Sequence, residues 1–142
     1  MSFSVAKTRI NRGNESGQAL VEFALVIPIF LILFLGIVEF ARAWNIYEIL
    51  TDAGREGART AVVDNGFGES DVVSVIQAAG DRAGITIDPS DIQIVGFGSG
   101  RGNSTSVRIE YDHELRWVGA LLGLLTGERT LTMVSEFAMR NE

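Results

Sequence analysis

The chain has 142 residues and no cysteine, which suits one domain with an attached segment and excludes disulfides, zinc–thiolate sites and thiol nucleophiles. Its net charge of −6 is uneven, because Lys7, Arg9 and Arg12 outnumber Glu15 in the first 17 residues while the remainder is acidic. An acidic body disfavours nucleic acid as a partner, and a basic amino terminus favours its retention in the cytoplasm.

An apolar segment follows this basic terminus. Residues 23–38 form a run of 16 residues without a charged side chain. Extended back to Gln18, the segment would span about 31 Å as a helix, which suffices for a hydrocarbon core of about 30 Å. The extension takes in Pro28, which we expect to bend the helix, and Glu22, whose carboxylate opposes insertion.

Three interpretations of the segment compete. The first is an unprocessed single-pass membrane anchor with an interfacial glutamate. The second is a secretory signal cut after the small-x-small triplet Ala41-Arg42-Ala43, which would release a secreted binding module or enzyme. Against the second, the region before the apolar run is long and contains an acid, and the run itself is slightly longer than usual.

The third interpretation explains Gly17 and Glu22 together. The heptapeptide GQALVEF at 17–23 resembles the processing site of type IV pilin-like proteins, in which a prepilin peptidase cuts a basic leader after a glycine and a glutamate follows five residues on. The stretch GQALVEFALVIPIFLILFLGIVEFARA, together with REGART at 55–60 and LTMVSEFAMRNE at 131–142, resembles the TadE family, the minor pilin-like proteins of tight-adherence (Tad/Flp) pilus systems.

The resemblance implies a cleaved cytoplasmic leader at 1–17, a transmembrane helix at 18–38 and an extracytoplasmic α+β domain at 39–142. It implies a single-pass protein of the bacterial inner membrane that is processed between Gly17 and Gln18 and takes part in pilus assembly. The implied partners are the prepilin peptidase, the major Flp-type pilin, sister minor pilins, inner-membrane platform proteins and membrane lipid. No cofactor is implied.

Glu22 and its neighbour Phe23 are the candidate assembly residues. Cleavage after Gly17 would create an ammonium on Gln18, which can approach Glu22 of an adjacent subunit in a bundle of offset parallel helices. An ion pair is much stronger in a medium of low dielectric than in water, and an unpaired carboxylate there is disfavoured. The glutamate would therefore favour assembly and set the register between subunits.

Beyond the membrane the helical period continues, and we expect one long helix of roughly 45 residues that ends at the turn residues 64–66. Ala53, Gly57 and Ala61 form a small-x-x-x-small ladder that permits close helix packing. The ladder can contact another subunit or the chain's own sheet, and both interpretations stay open. A second helix is predicted from Glu69 or Ser70 to about Ala83.

The carboxyl-terminal half predicts a small antiparallel sheet of about three strands, in an α+β fold with the long helix and the second helix. Residues 85–87 look extended, 88–90 form a turn, and strands are expected at 92–97, 107–111 and 131–137. The glycine-rich segment 96–102 leads into a strand and not into a helix, so it predicts a hairpin loop and not a phosphate cradle.

Two further features of the sequence each allow two interpretations. The apolar cluster WVGALLGLL at 117–125 is too short to span a bilayer, and we expect it to pack on the core in preference to forming an exposed patch at a subunit or membrane interface. His113, between Asp112 and Glu114, is expected at a solvated strand end in preference to a metal site. Ser99 and Ser104 lack the context of a catalytic nucleophile, so an enzyme is not expected.

Overall fold

The computed structural model describes residues 13–63 and 66–141. These residues form three α-helices, one 3-10 helix (Pro89–Asp91) and a three-stranded antiparallel sheet of order β1-β2-β3, which confirms the predicted α+β fold. Most of the basic leader (1–12) and two residues of the expected turn (64 and 65) lie outside the described residues. The elements are α1 (Gly13–Val62), α2 (Glu69–Arg82), β1 (Ile92–Val95), β2 (Ser104–Glu114), α3 (Gly119–Leu125) and β3 (Thr130–Arg140).

Helix α1 dominates the molecule. Its 50 residues run without interruption through Pro28 and through the predicted junction between membrane segment and domain. Residues 18–34 are all exposed, and partial burial begins at Leu35. A helix long and apolar enough to cross a membrane is therefore present near the amino terminus, and the folded domain covers its carboxyl-terminal half.

The sheet packs on the covered half of α1. Strand β2 lies in the centre, where Ile109 is opposite Ile92 of β1 and Ser135 of β3. Alternate residues of β2 point inward, so Val107 and Ile109 are fully buried. They share one core with the buried residues Leu50, Ala53, Ala58, Val72 and Ile76 of the two long helices.

Helix α2 packs against α1 at a glycine. A Cβ on Gly57 would lie 2.6 Å from both Cδ1 and Cγ1 of Ile76, which is closer than van der Waals contact allows. Ala53 and Ala61 of the same ladder are also buried in the core. Packing within the chain thus accounts for the small residue at Gly57, while contact of the ladder with another subunit stays a prediction.

The glycine-rich segment connects β1 to β2 as a hairpin loop, as its sequence predicts. Gly96 has a φ of +82°, and a Cβ there would lie 2.5 Å from the carbonyl oxygen of Ser104. The loop is tied to the end of the chain, because the backbone N–H of Asn141 donates to the carbonyl of Asn103 over 2.8 Å. Its glycines therefore serve a tight turn beside β3.

The expectation of core packing is wrong for Trp117, Ala120 and Leu124 of the cluster at 117–125, which are exposed. Trp117 is 57% exposed and Leu124 is 83% exposed, although Gly119 is buried. The segment leaves the sheet after Glu114 and returns at Thr130, which pair with each other across the strand ends. The connecting segment 115–129 lies beyond the ends of β2 and β3, so part of its surface has no core to pack on.

Replacing Gly57 by Val is expected to lower the free energy of unfolding of the full chain by about 1–3 kcal/mol, because the branched side chain would overlap the buried Ile76. The measurement is the urea midpoint in mild detergent. Arg59→Val adds the same side chain at an exposed position two residues away and is the matched control. Equal midpoints for the two variants would contradict the packing described here.

Candidate functional site: an apolar helix surface and two glutamates

The amino-terminal half of α1 exposes a continuous apolar surface. Its large side chains are between about one third and three quarters exposed, and a soluble monomer rarely leaves such an area open to water. The surface therefore needs lipid or other apolar helices around it. It is formed by Leu20, Val21, Phe23, Leu25, Val26, Ile27, Ile29, Phe30, Leu31, Ile32, Leu33, Phe34 and Ile37.

The predicted processing site lies within the first turns of α1. A Cβ on Gly17 would meet no atom within 4 Å, so packing among the described residues does not require glycine at this position. Gln18 and Phe23 are exposed on the same helix. Glycine at position 17 is thus not explained by the fold of the described residues.

Glu22 is exposed and accepts a hydrogen bond of 3.1 Å from the side-chain amide of Gln18, one helical turn before it. A pair of this kind on a helix surface contributes about 0.2–0.5 kcal/mol. A carboxylate has roughly four acceptor positions, and this bond uses one of them. Glu22 thus retains most of its capacity to bind a donor on another molecule.

A second glutamate, Glu39, lies at the other end of the apolar surface and is only 3% exposed. Its Oε2 accepts a hydrogen bond of 2.8 Å from the backbone N–H of Trp117. Its Oε1 lies 3.5 Å from Nε2 of His113, which is itself buried, and 3.8 Å from Nη1 of Arg42. One carboxylate therefore connects α1 to the end of β2 and to the segment that leads into α3.

Burial raises the pKa of Glu39. Backbone hydrogen bonds from Trp117 and Arg116 and the positive charge of Arg42 together lower it by more than burial raises it, so the pKa lies below its ordinary value. Glu39 is therefore ionised at neutral pH. Among the described residues, Oε1 of Glu39 and Nε2 of His113 have no hydrogen-bond partner, and they face each other. Protonation of His113 would make this contact an ion pair.

The expectation that His113 is a solvated strand end is wrong, because the side chain is 4% exposed. Strand β2 extends beyond Tyr111, and its two-residue alternation continues inward from Ile109 to His113. Among the described residues, no cluster of three or more His, Cys, Asp or Glu side chains could hold a metal ion around it. Its packing partner is Glu39.

Sequence reasoning missed Glu39, although its position could have revealed it. Ala43, Ile46 and Leu50 follow the helical period in the sequence of α1, and Glu39 lies one helical turn before Ala43 on the same face. A charged residue in register with a core stripe predicts a buried carboxylate that requires partners. The predicted strand also ended two residues before His113, so that partner was not identified.

Residues 17–59 match the model of the family described as TadE-like protein. The segment is TadE-like, as its sequence predicted. The TadE-like match begins at Gly17 and includes the apolar surface, both glutamates and the ladder as far as Gly57. No curated protein and no solved structure matches the chain. The family likeness therefore rests on α1, the helix that carries the candidate site.

The pKa shift of Glu39 predicts a pH dependence of stability. A carboxylate with a lowered pKa in the folded state stabilises the fold above its ordinary value of 4.5, and this stabilisation is lost as the pH falls through the folded-state pKa. Urea midpoints measured between about pH 6 and pH 3 should therefore decrease more steeply for the unaltered chain than for Glu39→Gln.

The pKa of Asp88 is also lowered, by hydrogen bonds from the side chain and backbone of Ser90, but both proteins contain this group and its effect cancels in the comparison. Glu48→Gln, at an exposed position on α1, is the control. If Glu39→Gln and the unaltered chain gave parallel pH profiles, the stabilising role of the buried carboxylate would be refuted.

Proposed function

We propose that this protein is a minor pilin or pseudopilin that takes part in assembly of a Tad-type pilus. The observation that carries the proposal is the TadE-like segment that starts at Gly17 and continues into an exposed apolar helix with an available carboxylate at Glu22. The protein would reside in the bacterial inner membrane with its amino terminus in the cytoplasm. It would be the substrate of a prepilin peptidase and not an enzyme itself.

Processing would occur between Gly17 and Gln18. Both residues lie in helical backbone, and α1 begins only four residues earlier, at Gly13. A peptidase would have to open the helix here to reach the backbone at Gly17, where the absence of a side chain leaves the approach unobstructed.

Assembly would then follow from the new terminus. Gln18 and Glu22 are one turn apart, so pairing the ammonium of one subunit with Glu22 of the next offsets the two helices by about 6 Å. In lipid such a pair is much stronger than the exposed bond between Gln18 and Glu22 within one chain. The major Flp-type pilin, sister minor pilins and inner-membrane platform proteins are the proposed partners.

The structure gives an argument against release at Ala43. This residue is buried in the core in the middle of α1, where a peptidase would have to unwind a packed helix. The cut would also remove Glu39 from the folded domain and leave His113 buried without its facing carboxylate. An unprocessed anchor is compatible with the fold, but it provides no reason for glycine at position 17.

Mass spectrometry of the protein from its native membrane is expected to find an amino terminus at Gln18, either free or cyclised. A terminus at Trp44 would indicate release, and one at Met1 or Ser2 would indicate a plain anchor. The free form is expected in the assembly, because cyclisation removes the positive charge that Glu22 would bind.

Gly17→Leu is expected to slow processing strongly, because a bulky side chain would obstruct the peptidase. Gly36→Leu is the matched control, since a Cβ at Gly36 also meets no atom within 4 Å and the position lies in the same helix. The measurement is the ratio of uncut to cut protein on a gel. Processing of Gly17→Leu at the rate of the control would refute the peptidase assignment.

Glu22→Gln is expected to leave insertion and cleavage unchanged but to reduce incorporation into the assembly, because it removes the charge and keeps the shape. Glu48→Gln is the matched control, since Glu48 also accepts a bond from a residue one turn earlier, Trp44, over 3.0 Å. Incorporation is measured by co-purification with the major pilin. Equal incorporation of the two variants would show that Glu22 does not set the register.

A further inference from the structure

An exposed apolar patch lies on the segment that connects β2 to β3 and contains α3. We define the α3 patch as Trp117, Ala120 and Leu124, all of which are exposed. The opposite side of α3 is packed, because a Cβ on Gly119 would lie 2.9 Å from Leu115 and one on Gly123 would lie 2.6 Å from Nε of Arg129. The helix thus has one face against the protein and one apolar face outward.

The fold places this patch beside the end of the membrane segment. The backbone N–H of Trp117 is hydrogen-bonded to Glu39, which directly follows the predicted span 18–38. Burial of α1 by the rest of the chain begins at Leu35, within the last turn of that span. The base of the domain therefore reaches the depth at which α1 leaves the predicted span, and the segment that carries the patch begins at this depth.

The aromatic residues that follow the predicted span and the charged residues that flank the patch in sequence match a lipid interface. Trp44 and Tyr47 are exposed on α1 within three turns of Val38, and aromatic residues are enriched at membrane–water boundaries. The first two charged side chains before the patch are Arg116 and Glu114, the first two after it are Glu128 and Arg129, and all four are exposed. This balance favours apolar contact with zwitterionic lipid over attraction to anionic lipid.

We propose that the α3 patch inserts into the boundary between headgroups and acyl chains of the same bilayer that α1 crosses. The domain then has two membrane contacts, one through α1 and one through α3, which together fix its rotation about the helix axis. The inference rests on the membrane span and not on peptidase processing or pilus assembly. Because of the balanced charges, the contact should be nearly independent of ionic strength.

The test uses the full chain reconstituted in phosphatidylcholine vesicles. The chain has two tryptophans, so Trp44→Phe leaves Trp117 as the single fluorophore. We expect blue-shifted emission and several-fold stronger quenching by lipids brominated near the headgroup than by lipids brominated near the chain end. Added salt or anionic lipid should change the quenching little. Water-like emission without lipid quenching would overturn the proposal.

Val95→Trp in the Trp44→Phe, Trp117→Phe background is the distal control. Val95 is 64% exposed and pairs with Ser106, which is seven residues, or about 24 Å, from His113 along β2. Its emission should be water-like and not quenched by lipid. Phe30→Trp in the same background reports insertion of α1 itself, and quenching by deeply brominated lipid is expected.

The other possible results also decide whether the α3 patch contacts lipid. Quenching of the Phe30 variant without quenching of Trp117 would refute the α3 contact alone, and absence of both would refute it together with the span. Blue-shifted Trp117 emission that is insensitive to bromolipid and changes on dilution would assign the patch to a second copy of the chain. Leu124→Glu should reduce the quenching of Trp117 several-fold, and Val95→Glu should not.

Discussion

The contact between Glu39 and the segment before α3 is the buried polar contact that joins the base of the folded domain to α1, next to the core that packs on the same helix. Removing a carboxylate from water costs several kcal/mol unless other groups compensate, so Glu39 requires the N–H of Trp117 and the facing ring of His113. Both groups are more than 70 residues away from Glu39 in the sequence. Their convergence on the first residue beyond the apolar segment adds a polar contact to the core packing that holds the sheet on α1.

The two glutamates of the TadE-like segment have opposite surroundings and, in our proposal, opposite roles. Glu39 finds its partners within the chain and is buried by them. Glu22 is exposed on an apolar helix and is bonded only weakly, to Gln18. The same residue type thus secures the domain internally at one end of the apolar surface and, at the other end, offers a charge for assembly.

The two halves of helix α1 have different surroundings: the carboxyl-terminal half packs on the rest of the chain, and the amino-terminal half is exposed. The ladder around Gly57 is covered by α2 and the core, so close helix approach in that half occurs within the chain. The half from Leu20 to Ile37 has no such cover among the described residues. In our proposals, the apolar half is the surface for lipid and for other subunits, and the α3 patch adds a second contact with lipid.

The sequence by itself predicted the long helix, the second helix, the three strands and the TadE-like character of α1, because each rests on local periodicity or on a contiguous motif. It also predicted that 96–102 is a hairpin loop, since turn chemistry is local. Cleavage at Gly17 and the pairing of Glu22 involve other molecules, so they stay predictions. The tertiary structure decided that His113 is buried beside Glu39 and that Trp117 and Leu124 are exposed. These facts depend on which distant segments meet, and residue spacing within one segment does not contain that information.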